Sequence, residues 1–484
     1  MTLGILCKDI LPLRPEWESI SVKGIAYDSR SVGPGDLFVA IPGLRQNGAG
    51  YAAVSVQKGA VAVVSQKPLA LSVPLLLAED SRKALAFFAN RFYGDLTRKL
   101  TVVGITGTNG KTTIAFLIES IFKEAGLNPG LMGTVLYRWK NHSVAAPRTT
   151  PESVDMHRMM HDMVRDGVRS VVMEVSSHAL ALDRVLGMVF KAAVFSNLTQ
   201  DHLDFHGTIE AYGRSKAKLF GMIAPDGIAV VNADDPYCDW MCKGTSAKIS
   251  TYGMKHLSCD YRIRDILHSE EGTRFVLNHG KNSIALSIRL WGQFNVMNAT
   301  AAAVCGLELG LDAETVQRGI DRVDRVPGRM EGIASSLGFR IIIDYAHTPD
   351  ALENVLKTVR AFTPGKVIAV FGCGGDRDRG KRPLMGAISA RLADRVLVTS
   401  DNPRSEDPED IVRQIVSGMG GFHNVETILD RNLAIRTALG EAKESDTIVI
   451  AGKGHETYQE IGGNRLPFDD RLVVERHLKR MTET

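Results

Sequence analysis

The stretch Leu100-Thr-Val-Val-Gly-Ile-Thr-Gly-Thr-Asn-Gly-Lys-Thr-Thr113 decides the fold of this chain. Its first half predicts a buried strand, its middle is a tight Gly/Thr/Asn loop, and apolar residues at helical spacing follow it. Such a loop directs backbone N–H groups to one point at the start of a helix, which suits a phosphate group. Lys111 adds a full positive charge, and the hydroxyl of Thr112 can bind Mg²⁺.

The loop departs from the general phosphate-loop pattern at one position. That pattern has a glycine five places before Gly110, where this chain has Ile105, and Gly104 and Gly107 flank the position instead. A glycine-rich turn that only connects a strand to a helix is the alternative interpretation. We favour the phosphate loop, because strand, loop, Lys-Thr-Thr and helix follow one another in the order that the mechanism requires.

The composition is that of a soluble globular protein. The chain has 484 residues, 44% apolar and 23% charged, and this length predicts about two to four domains. The net charge of +3 (58 basic minus 55 acidic residues) gives no support for a nucleic-acid or membrane partner. We find no signal-peptide pattern and no apolar run of membrane-spanning length. Six scattered cysteines without a zinc pattern also favour a reduced, cytoplasmic setting.

Strands and helices alternate along the chain, and we expect an α/β fold with three domains. A smaller α/β N-terminal domain (residues 1–98) has short strands with turn signals. A central P-loop-type domain (residues 99–331) has near-continuous apolar strands, such as Ser170-Val-Val-Met-Glu-Val175, which favour a mostly parallel sheet covered on both faces. A C-terminal Rossmann-like α/β domain (residues 332–484) follows.

Four predicted strands of the C-terminal domain each end in a polar cluster. These clusters are Asp344-Tyr-Ala-His347, Gly372-Cys-Gly-Gly-Asp-Arg-Asp378, Ser400-Asp-Asn-Pro-Arg404 and Gly452-Lys-Gly-His-Glu456. In open α/β sheets, ligands bind beyond the carboxyl ends of the strands. The four clusters therefore predict a shared cleft at one edge of the sheet.

The central domain has polar residues that could hold the metal ion of a bound nucleotide. Glu174 ends a predicted strand, and His202 and Lys216 follow farther along the chain. A carboxylate and an imidazole near a phosphate loop suit Mg²⁺ as direct or water-mediated ligands. Taken alone, Glu174 could be a helix cap and His202 a hydrogen-bonded core histidine. The phosphate loop in the same domain favours the metal site.

Six motifs together resemble the Mur ligases, the ATP-dependent amide ligases of peptidoglycan precursor synthesis. They are Gly107-Thr-Asn-Gly-Lys-Thr-Thr113, Glu174-Val-Ser-Ser-His178, Asn197-Leu-Thr-Gln-Asp-His-Leu-Asp204, Asp344-Tyr-Ala-His347, Asp401-Asn-Pro-Arg404 and Gly452-Lys-Gly-His-Glu456. They follow the family's order and spacing over nearly the whole chain. Within the family, the resemblance is to the members that add 2,6-diaminopimelate.

The resemblance implies a ligase that adds meso-diaminopimelate to UDP-N-acetylmuramoyl-L-alanyl-D-glutamate (UDP-MurNAc-L-Ala-D-Glu) through an acyl phosphate, with ATP and Mg²⁺. It implies a monomer whose N-terminal, central and C-terminal domains bind the UDP-substrate, ATP and the amino acid, respectively. By family position, Lys111, Glu174, His202 and Lys216 are catalytic. The implied metal ligands are Thr112, Glu174, His202 and a carbamate on Lys216. Without the motif, Lys216 would be interpreted as an ordinary surface lysine.

The resemblance also implies contacts to both nucleotides. The implied ATP contacts are Gly107, Thr108, Asn109, Gly110, Lys111, Thr112 and Thr113 at the phosphates, and Asn298, Arg329 and Asp344 at the base and ribose. The implied contacts to the UDP-dipeptide are Ser29, Leu44, Arg45, Gln46, Thr149, Thr150, Ser176 and Arg184. Two departures are visible. Leu182 replaces a glutamine of some members, which removes an amide contact, and Asn47-Gly48 replaces the more frequent Asp-Gly.

The implied contacts to the amino acid are Arg377, Asp401, Asn402, Pro403, Arg404, Gly452 and Glu456. Diaminopimelate has a distal carboxylate and a distal ammonium. A guanidinium at Arg404 can bind the carboxylate in bidentate fashion, and Asp401 or Glu456 can bind the ammonium. Lysine-adding members usually lack this arginine. Alone, Arg404 could be a surface arginine at a helix start, but its place at a strand tip beside Pro403 favours the functional interpretation.

Two other functions remain as alternatives. A sister ligase, either a lysine-adding member of the family or a folylpolyglutamate-synthetase-like enzyme, would keep the chemistry and change the substrates. A P-loop NTPase switch without ligase activity would need no polar strand tips in the C-terminal domain. His347 is a candidate general base for the incoming amine, and loss of the proton to water is the alternative.

Overall fold

The computed structural model describes residues 1–43, 46–269 and 272–483 of the chain. Within these ranges the strands form three sheets and one separate hairpin, and helices connect the strands of each sheet. The predicted α/β class with mostly parallel sheets is confirmed. Leu44 and Arg45, two of the predicted UDP-substrate contacts, lie outside the described residues.

The N-terminal sheet is small and wholly parallel. Its strands lie in sequence order and are β1 (Gly24–Ala26), β2 (Asp36–Val39), β3 (Ala62–Ser65) and β4 (Leu75–Leu77). Its helices are α1 (Leu3–Cys7), α2 (Ala52–Gln57) and α3 (Ser81–Tyr93). Helix α3 begins where Asp80 accepts two backbone N–H hydrogen bonds, and it ends at Gly94, which has a φ of +90°. Its side chains Leu85 and Phe88 pack into the core of this sheet.

The central sheet has eleven strands in the described residues. They are β5 (Thr101–Thr106), β6 (Pro129–Met132), β7 (Leu136–Trp139), β8 (His142–Ala145), β9 (Ser170–Glu174), β10 (Phe190–Phe195), β11 (Ile223–Asn232), β12 (Lys248–Gly253), β13 (Tyr261–Ser269), β14 (Gly272–His279) and β15 (Asn282–Ile288). The accompanying helices are α4 (Lys111–Glu124), α5 (Ser153–Arg165), α6 (Ser177–Ala181), α7 (Leu203–His206), α8 (Ile209–Ala217), α9 (Cys238–Met241), α10 (Gln293–Glu308) and α11 (Ala313–Asp321).

Strand β5 lies in the middle of this sheet, parallel to β10 on one side and to β9 on the other. Both faces are covered, because one apolar cluster contains Val103 and the other contains Val102. Helix α4 packs Ile118 and Phe122 into the first cluster. Burial of a large apolar side chain of this kind contributes about 1.5–3 kcal/mol, and it fixes the loop that joins β5 to α4.

The C-terminal sheet has the strand order β16-β17-β21-β18-β19-β20, with β16 (Glu331–Ile333), β17 (Arg340–Asp344), β18 (Val367–Phe371), β19 (Arg395–Val398), β20 (Val425–Thr427) and β21 (Thr447–Ala451). Its helices are α12 (Pro349–Phe362), α13 (Lys381–Leu392), α14 (Pro408–Val416), α15 (Arg431–Glu441) and α16 (Asp470–Thr482). Strands β17 to β21 are parallel, and β16 runs antiparallel at one edge. The carboxyl ends of the parallel strands therefore share one edge.

The predicted strands are present, but several antiparallel additions were missed. The central sheet is extended by β7 and β8 at one edge and by β14 and β15 at the other, all of them antiparallel to their neighbours. Strands β22 (Tyr458–Ile461) and β23 (Asn464–Pro467) form a hairpin separate from the sheets. These strands are partly exposed, so they lack the continuous apolar pattern that marks a buried parallel strand.

In the described part of the chain, no helix combines the length and the apolar character that crossing a bilayer requires.

Candidate active site

The loop between β5 and α4 needs glycine at two positions. Gly107 has a φ of +146°, and a Cβ atom there would lie 1.9 Å from the hydroxyl of Ser196. Gly110 has a φ of +87°, and its Cβ would lie 2.3 Å from Oδ1 of Asn298. A side chain at either position would therefore combine an unfavourable backbone conformation with a steric clash.

The segment after β10 holds this loop in place. The N–H of Thr108 donates to the carbonyl of Asn197 at 2.8 Å, and the N–H of Asn109 donates to Oδ1 of Asn197 at 2.9 Å. The hydroxyl of Ser196 donates to the carbonyl of Asn109 at 2.5 Å. The loop is thus preorganised before any ligand binds.

Two lysines, Lys111 partly buried and Lys216 buried, point at the same carbonyl of the loop. Lys111 Nζ lies 2.9 Å from the carbonyl oxygen of Gly107, and Lys216 Nζ lies 2.7 Å from that oxygen. Lys216 also lies over the ring of Tyr212, 4.2 Å from its centroid. Burial lowers the pKa of both lysines, and the shift is the larger for Lys216, whose pKa the nearby charge of Lys111 lowers further.

Glu174 lies across the loop from these lysines and is only 1% exposed. Its carboxylate accepts hydrogen bonds from the hydroxyl of Thr112 at 3.1 Å, and from the N–H and hydroxyl of Thr134 at 2.7 and 2.9 Å. Glu174 is therefore a partnered carboxylate at the end of β9, beside the predicted phosphate site.

His202 immediately precedes α7 and has a φ of +55°, an uncommon conformation for a residue with a side chain. Its ring meets His178 edge-on, with the centroids 4.7 Å apart, and Nε2 lies 3.3 Å from Oδ2 of Asp201. Burial lowers the pKa of His202 to about 3, so the imidazole is neutral at physiological pH and can act as a ligand.

Arg329, just before the C-terminal sheet, and Asp344, at the end of β17, reach into the same place. Arg329 Nη2 donates to the hydroxyl of Thr112 at 3.0 Å, and its guanidinium lies 4.5 Å from the ring centroid of Tyr345. Asp344 accepts a hydrogen bond from the N–H of Met330 at 2.7 Å, while burial raises the pKa of its carboxyl group. The guanidinium and the carboxylate both line one cavity with the phosphate loop.

This first cavity has a volume of about 320 Å³. The predicted site residues that line it are Thr108, Asn109, Gly110, Lys111, Thr112, Thr113, Thr149, Glu174, Ser176, His202, Lys216, Asn298, Arg329 and Asp344. Residues between Thr108 and Val355 thus contribute to one space between the central and C-terminal sheets. Clefts of this kind, with a few converging polar groups, are common ligand sites.

A second cavity, of about 570 Å³, lies at the carboxyl edge of the C-terminal sheet. All four predicted polar tips contribute to its lining, which confirms that they share a cleft. The predicted amino-acid contacts that line it are Arg377, Asp401, Asn402, Arg404, Gly452 and Glu456. Pro403 is not among the lining residues.

Arg404 is held by backbone contacts on two sides. Its Nη1 donates to the carbonyl of Gly375 at 2.7 Å, and its N–H donates to the carbonyl of Glu460 at 2.9 Å. Asn402 Nδ2 donates to Oε2 of Glu456 at 2.7 Å. Burial and the nearby charge of Asp401 raise the pKa of Glu456. The second cavity thus holds a guanidinium and two carboxylates near one another.

The two cavities adjoin. The residues that line both are Thr134, Thr149, Asp201, His202, Tyr345 and His347. His347 Nε2 lies 3.8 Å from Oδ2 of Asp201, and its Nδ1 lies 2.7 Å from the carbonyl oxygen of Tyr345. A molecule in one cavity therefore reaches a molecule in the other at this junction.

The remaining predicted contacts lie beside these cavities or apart from them. Thr150 is buried, and its hydroxyl donates to the carbonyl of Glu174 at 2.9 Å. Arg184 Nη1 donates to the carbonyl of Thr150 at 3.2 Å. In the N-terminal region, the carbonyl of Ser29 accepts from Lys58 Nζ at 2.8 Å, and Gln46 Oε1 accepts from the hydroxyl of Tyr51 at 2.9 Å.

The sequence-based prediction missed several residues at this site. Asp201, Tyr212, Asp350, Lys381 and Lys453 contact predicted residues or line one of the cavities. Asp201 and Lys453 lie inside quoted motifs, which was an available signal. The other three lie outside those motifs and approach the site only through the fold.

Three family descriptions match consecutive parts of the chain. "Mur ligase family, catalytic domain" matches residues 21–93, "Mur ligase middle domain" matches residues 105–306, and "Mur ligase, glutamate ligase domain" matches residues 328–454. Together they include every one of the six motifs except the last residues of the final one.

Relatives and solved structures agree with this match. The chain is 45% identical to UDP-N-acetylmuramoyl-L-alanyl-D-glutamate–2,6-diaminopimelate ligase of Geobacillus thermodenitrificans (strain NG80-2), over 95% of each chain. It is 45% identical to the enzyme of the same name from Solibacter usitatus (strain Ellin6076), over 99% of this chain and 98% of that one.

A solved structure of UDP-N-acetylmuramoyl-L-alanyl-D-glutamate–2,6-diaminopimelate ligase is 35% identical, with a TM-score of 0.70 over 100% of both chains. MurF ligase from Thermotoga maritima in complex with ADP is 19% identical, with a TM-score of 0.67 over 96% of this chain and 98% of that one, and this likeness concerns the fold alone. On the strength of the matched domains and these relatives, the chain belongs to the Mur ligase family.

Proposed function

We propose that this protein is an ATP-dependent amide ligase that adds meso-diaminopimelate to UDP-MurNAc-L-Ala-D-Glu in peptidoglycan precursor synthesis. The observation that carries the proposal is the junction of the two cavities, one built on a phosphate loop and the other on a guanidinium and two carboxylates. The identity of 45% with diaminopimelate ligases over 95% of the chain supports the choice of substrates.

The chemistry must convert an unreactive carboxylate into an electrophile. The side-chain carboxylate of D-Glu attacks the γ-phosphorus of ATP, ADP leaves, and an acyl phosphate forms. The free amine of diaminopimelate then attacks the acyl carbon, the amine loses a proton, and inorganic phosphate leaves from the tetrahedral intermediate. Both steps depend mainly on positioning and on neutralisation of negative charge.

The phosphate loop supplies that neutralisation in this proposal. Lys111 and the backbone N–H groups of residues 107–113 bind the β- and γ-phosphates of ATP. Lys111 Nζ donates to the carbonyls of Gly107 and Thr108, at 2.9 and 2.8 Å. Asn298, Arg329 and Asp344 bind the base and ribose, since they line the same cavity, Asn298 from α10 and Asp344 from the end of β17.

The residues also fit Mg²⁺, which usually takes one or two carboxylates, waters and substrate phosphates in preference to an all-protein cage. Among the described residues, no group of three or more His, Cys, Asp or Glu side chains is arranged for a metal. Thr112 and Glu174 would hold one Mg²⁺, His202 would help to hold a second, and a modified Lys216 would be a further ligand. The metal would reduce the charge repulsion between the phosphates and the attacking carboxylate.

The modification of Lys216 is a carbamate, formed when the neutral amine adds CO₂ and releases a proton. Lys216 is 1% exposed, and burial depresses its pKa well below the ordinary value, which favours the neutral amine that this reaction requires. The product is an anion at the position of an ammonium, and such an anion can bind a metal ion.

The UDP-dipeptide and the amino acid approach from opposite sides of the junction. We assign residues 1–98 to UDP-substrate binding with Ser29, Leu44, Arg45 and Gln46, residues 99–331 to ATP, and residues 332–484 to the amino acid. Thr149, Thr150, Ser176 and Arg184 contact the muramoyl-dipeptide. Thr149 and Ser176 line the first cavity, which is where the carboxylate to be activated must arrive.

The residues of the amino-acid site determine which amino acid is added. Arg404 binds the distal carboxylate of diaminopimelate, Arg377 makes a further carboxylate contact, and Asp401 or Glu456 binds the distal ammonium, with Asn402, Pro403 and Gly452 completing this end. The protein acts as a monomer in the cytoplasm, and its partners are small molecules, with no nucleic-acid or membrane partner.

The test is amino-acid-dependent release of ADP and phosphate by the whole protein. We expect release to require UDP-MurNAc-L-Ala-D-Glu and meso-diaminopimelate together, with mass spectrometry showing the amide product. Equal turnover with L-lysine would contradict the selectivity. Nucleotide hydrolysis that is indifferent to both substrates would instead indicate a P-loop NTPase without ligase activity.

A further inference from the structure

Glu152 is a buried carboxylate that three arginines share. It lies just before α5 and is 4% exposed, and its Oε1 accepts a hydrogen bond from the N–H of Ser153 at 3.3 Å. Its other oxygen, Oε2, lies 3.5 Å from Nη1 of Arg82, 3.3 Å from Nε of Arg184 and 3.9 Å from Nη1 of Arg148. One carboxylate oxygen therefore holds three guanidinium groups together.

Two of these arginines make further contacts, in different parts of the molecule. Arg82 is on α3 of the N-terminal sheet, and its Nε and Nη2 donate to the carbonyl of Pro42 at 3.2 and 2.8 Å. Arg184 follows α6 of the central sheet, and its Nη1 donates to the carbonyl of Thr150 at 3.2 Å. A continuous chain of polar contacts thus runs from Pro42 to Thr150, with Glu152 at its centre.

Helix α5 joins the N-terminal sheet to the central sheet at the same place. Val154, in its first turn, belongs to the apolar cluster of the N-terminal sheet, whereas Met156 belongs to an apolar cluster of the central sheet. The hydroxyl of Tyr27, just after β1, donates to Oδ2 of Asp155 on α5 at 2.5 Å. The start of α5 therefore fixes how the two sheets are placed relative to each other, and Glu152 lies at that joint.

The charge of this cluster is not what an ion pair for stability alone requires. One guanidinium is enough to pair a buried carboxylate, and each further guanidinium adds a desolvation penalty and repels the others. Three guanidiniums around Glu152 leave an excess of positive charge. Arg148 also lines the second cavity, and its neighbour Thr149 lines both cavities. The excess charge therefore lies beside the place where the acidic UDP-dipeptide of the proposed function must bind.

The two ends of the polar chain adjoin the two groups of residues that we assigned to the UDP-dipeptide. Pro42 lies shortly before residues 44–46, which we assigned to the UDP end of the substrate. Thr150 and Arg184 were assigned to the muramoyl-dipeptide end. One substrate molecule has to reach both groups at once, so the separation between them decides whether both ends bind together.

We propose that Glu152 is a positioning residue that holds the contacts for the UDP end and the contacts for the D-glutamyl end of the UDP-dipeptide at one fixed separation. This inference rests on the proposed function, and it adds to it the group that links the two halves of that site. Glu152 acts through Arg82 and Arg184 and does not touch the substrate itself. Because the joint is fixed in advance, substrate binding does not have to order the two sheets, and less conformational entropy is lost.

The test measures by calorimetry the binding of two ligands, UDP-MurNAc-L-Ala-D-Glu and UDP-MurNAc-L-Ala, which lacks the D-glutamyl end. We expect the parent protein to bind the full substrate at least about tenfold more tightly than the truncated one, because only the full substrate reaches both groups of contacts. Glu152→Gln keeps the size of the side chain and removes its charge. It should reduce this ratio to about threefold or less, while the affinity for the truncated ligand changes by less than about twofold.

Further variants separate the charge of Glu152 from its link to Arg82. Glu152→Asp should retain part of the ratio, because it keeps the carboxylate. Arg82→Gln should reduce the ratio as Glu152→Gln does, and the double variant should match Glu152→Gln within about twofold. The matched control is Glu314→Gln, at an exposed glutamate on α11 that also pairs with an arginine, and it should behave as the parent protein does.

Several outcomes would overturn the inference. Equal losses of affinity for the full and the truncated ligand in Glu152→Gln would show that Glu152 only supports the fold. An unchanged ratio in that variant, equal binding of the two ligands by the parent protein, or additive losses in the double variant would each contradict the positioning role. If Glu152→Gln is poorly folded by thermal unfolding, Arg82→Gln decides the question with the same two ligands.

The parent protein tested alone decides the proposed function. Absence of diaminopimelate-dependent ADP release would refute that function whatever the variants do. Release by the parent protein together with an unchanged ratio in Glu152→Gln would refute the positioning role alone.

Discussion

Asn109 of the phosphate loop donates a hydrogen bond of 2.8 Å to Asp350 in the first turn of α12. The two residues are 241 positions apart and belong to segments on different sheets. This contact, together with that between Arg329 and Thr112, joins the C-terminal region directly to the loop expected to bind phosphate.

We first predict that the contact between Asn109 and Asp350 holds α12 against the phosphate loop. A partly buried hydrogen bond with a charged partner contributes about 1.5–3 kcal/mol, so Asp350→Ala should lower kcat/KM for ATP by roughly tenfold or more. In a double-mutant cycle, Asn109→Ala should add little to Asp350→Ala. Fully additive effects would contradict the coupling, and Lys357→Ala, at an exposed position of the same helix, is the control.

The second prediction concerns Lys216. Lys216→Ala should lose most of the activity, because the proposed anionic metal ligand disappears, and added acetate or bicarbonate should modulate what remains. In the parent protein, NMR with ¹³C-labelled bicarbonate should show a carbamate signal that is absent from the variant. Full activity of Lys216→Ala would remove the carbamate from the mechanism. Lys191→Ala, on a partly exposed lysine paired with Asp226, serves as the control.

The third prediction concerns selectivity at Arg404. Lys cannot reproduce a bidentate guanidinium contact, so Arg404→Lys should raise the KM for meso-diaminopimelate by about tenfold and leave the KM for ATP nearly unchanged. The parent and the variant should differ much less with L-lysine, which lacks the distal carboxylate. An equal rise in the KM for the amino acid and in the KM for ATP would argue against a role of Arg404 in selecting the amino acid. Arg413→Lys, at an exposed ion pair on α14, is a matched control.

The fourth prediction concerns a buried ion pair behind the second cavity. Arg382 is fully buried and donates to both oxygens of Glu406 at 3.0 and 2.9 Å, while Glu406 also accepts from the N–H of Asp376 at 2.6 Å. These contacts fix the loop that carries Arg377. Removing one partner of a buried pair is strongly destabilising, by about 3–5 kcal/mol, so Arg382→Met should lower the melting temperature and raise the KM for the amino acid.

This pair also gives a pH dependence. The hydrogen bond from Arg382 lowers the pKa of Glu406 to about 2 from an ordinary value of 4.5. Because the folded pKa is the lower one, the stabilisation is complete above pH 4.5 and is lost as the pH falls towards 2. Urea unfolding between these pH values should show a steeper loss of stability in the parent than in Glu406→Gln. If the free energy of unfolding fell equally with pH in both proteins, the assignment of this pH dependence to Glu406 would be contradicted.

Elements of the fold could be predicted where a short stretch of sequence shows a clear apolar or loop pattern. The stretch from Leu100 to Thr113 is a strand, a loop and a helix start in the structure, and the apolar strands after it are present. The edge hairpins were not predicted, because β7, β8, β14 and β15 are partly exposed and their pairing partners decide their conformation.

Residues of the candidate site could be predicted from the sequence only where they lie in recognisable motifs. Glu174 and His202 could be named because they lie in recognisable motifs, and the structure places them on the same cavity as Lys111. Asp350 lies outside the quoted motifs, and its hydrogen bond to Asn109 is a contact that no local pattern encodes. Arg382 is similar, since complete burial of an arginine depends on a partner 24 positions away.

The hairpin of β22 and β23 has no sheet of its own, and an isolated two-stranded hairpin is marginally stable in water. It is attached to the strand tip at Arg404 by backbone hydrogen bonds at Glu460 and Gly462, and by Asn402, which accepts from the N–H of Glu460 at 2.9 Å. A redesign of the preference for the incoming amino acid should accordingly exchange the strand tip at Arg404 and the hairpin together. Substitution of Arg404 alone would leave a strand tip that no longer matches the hairpin bonded to it.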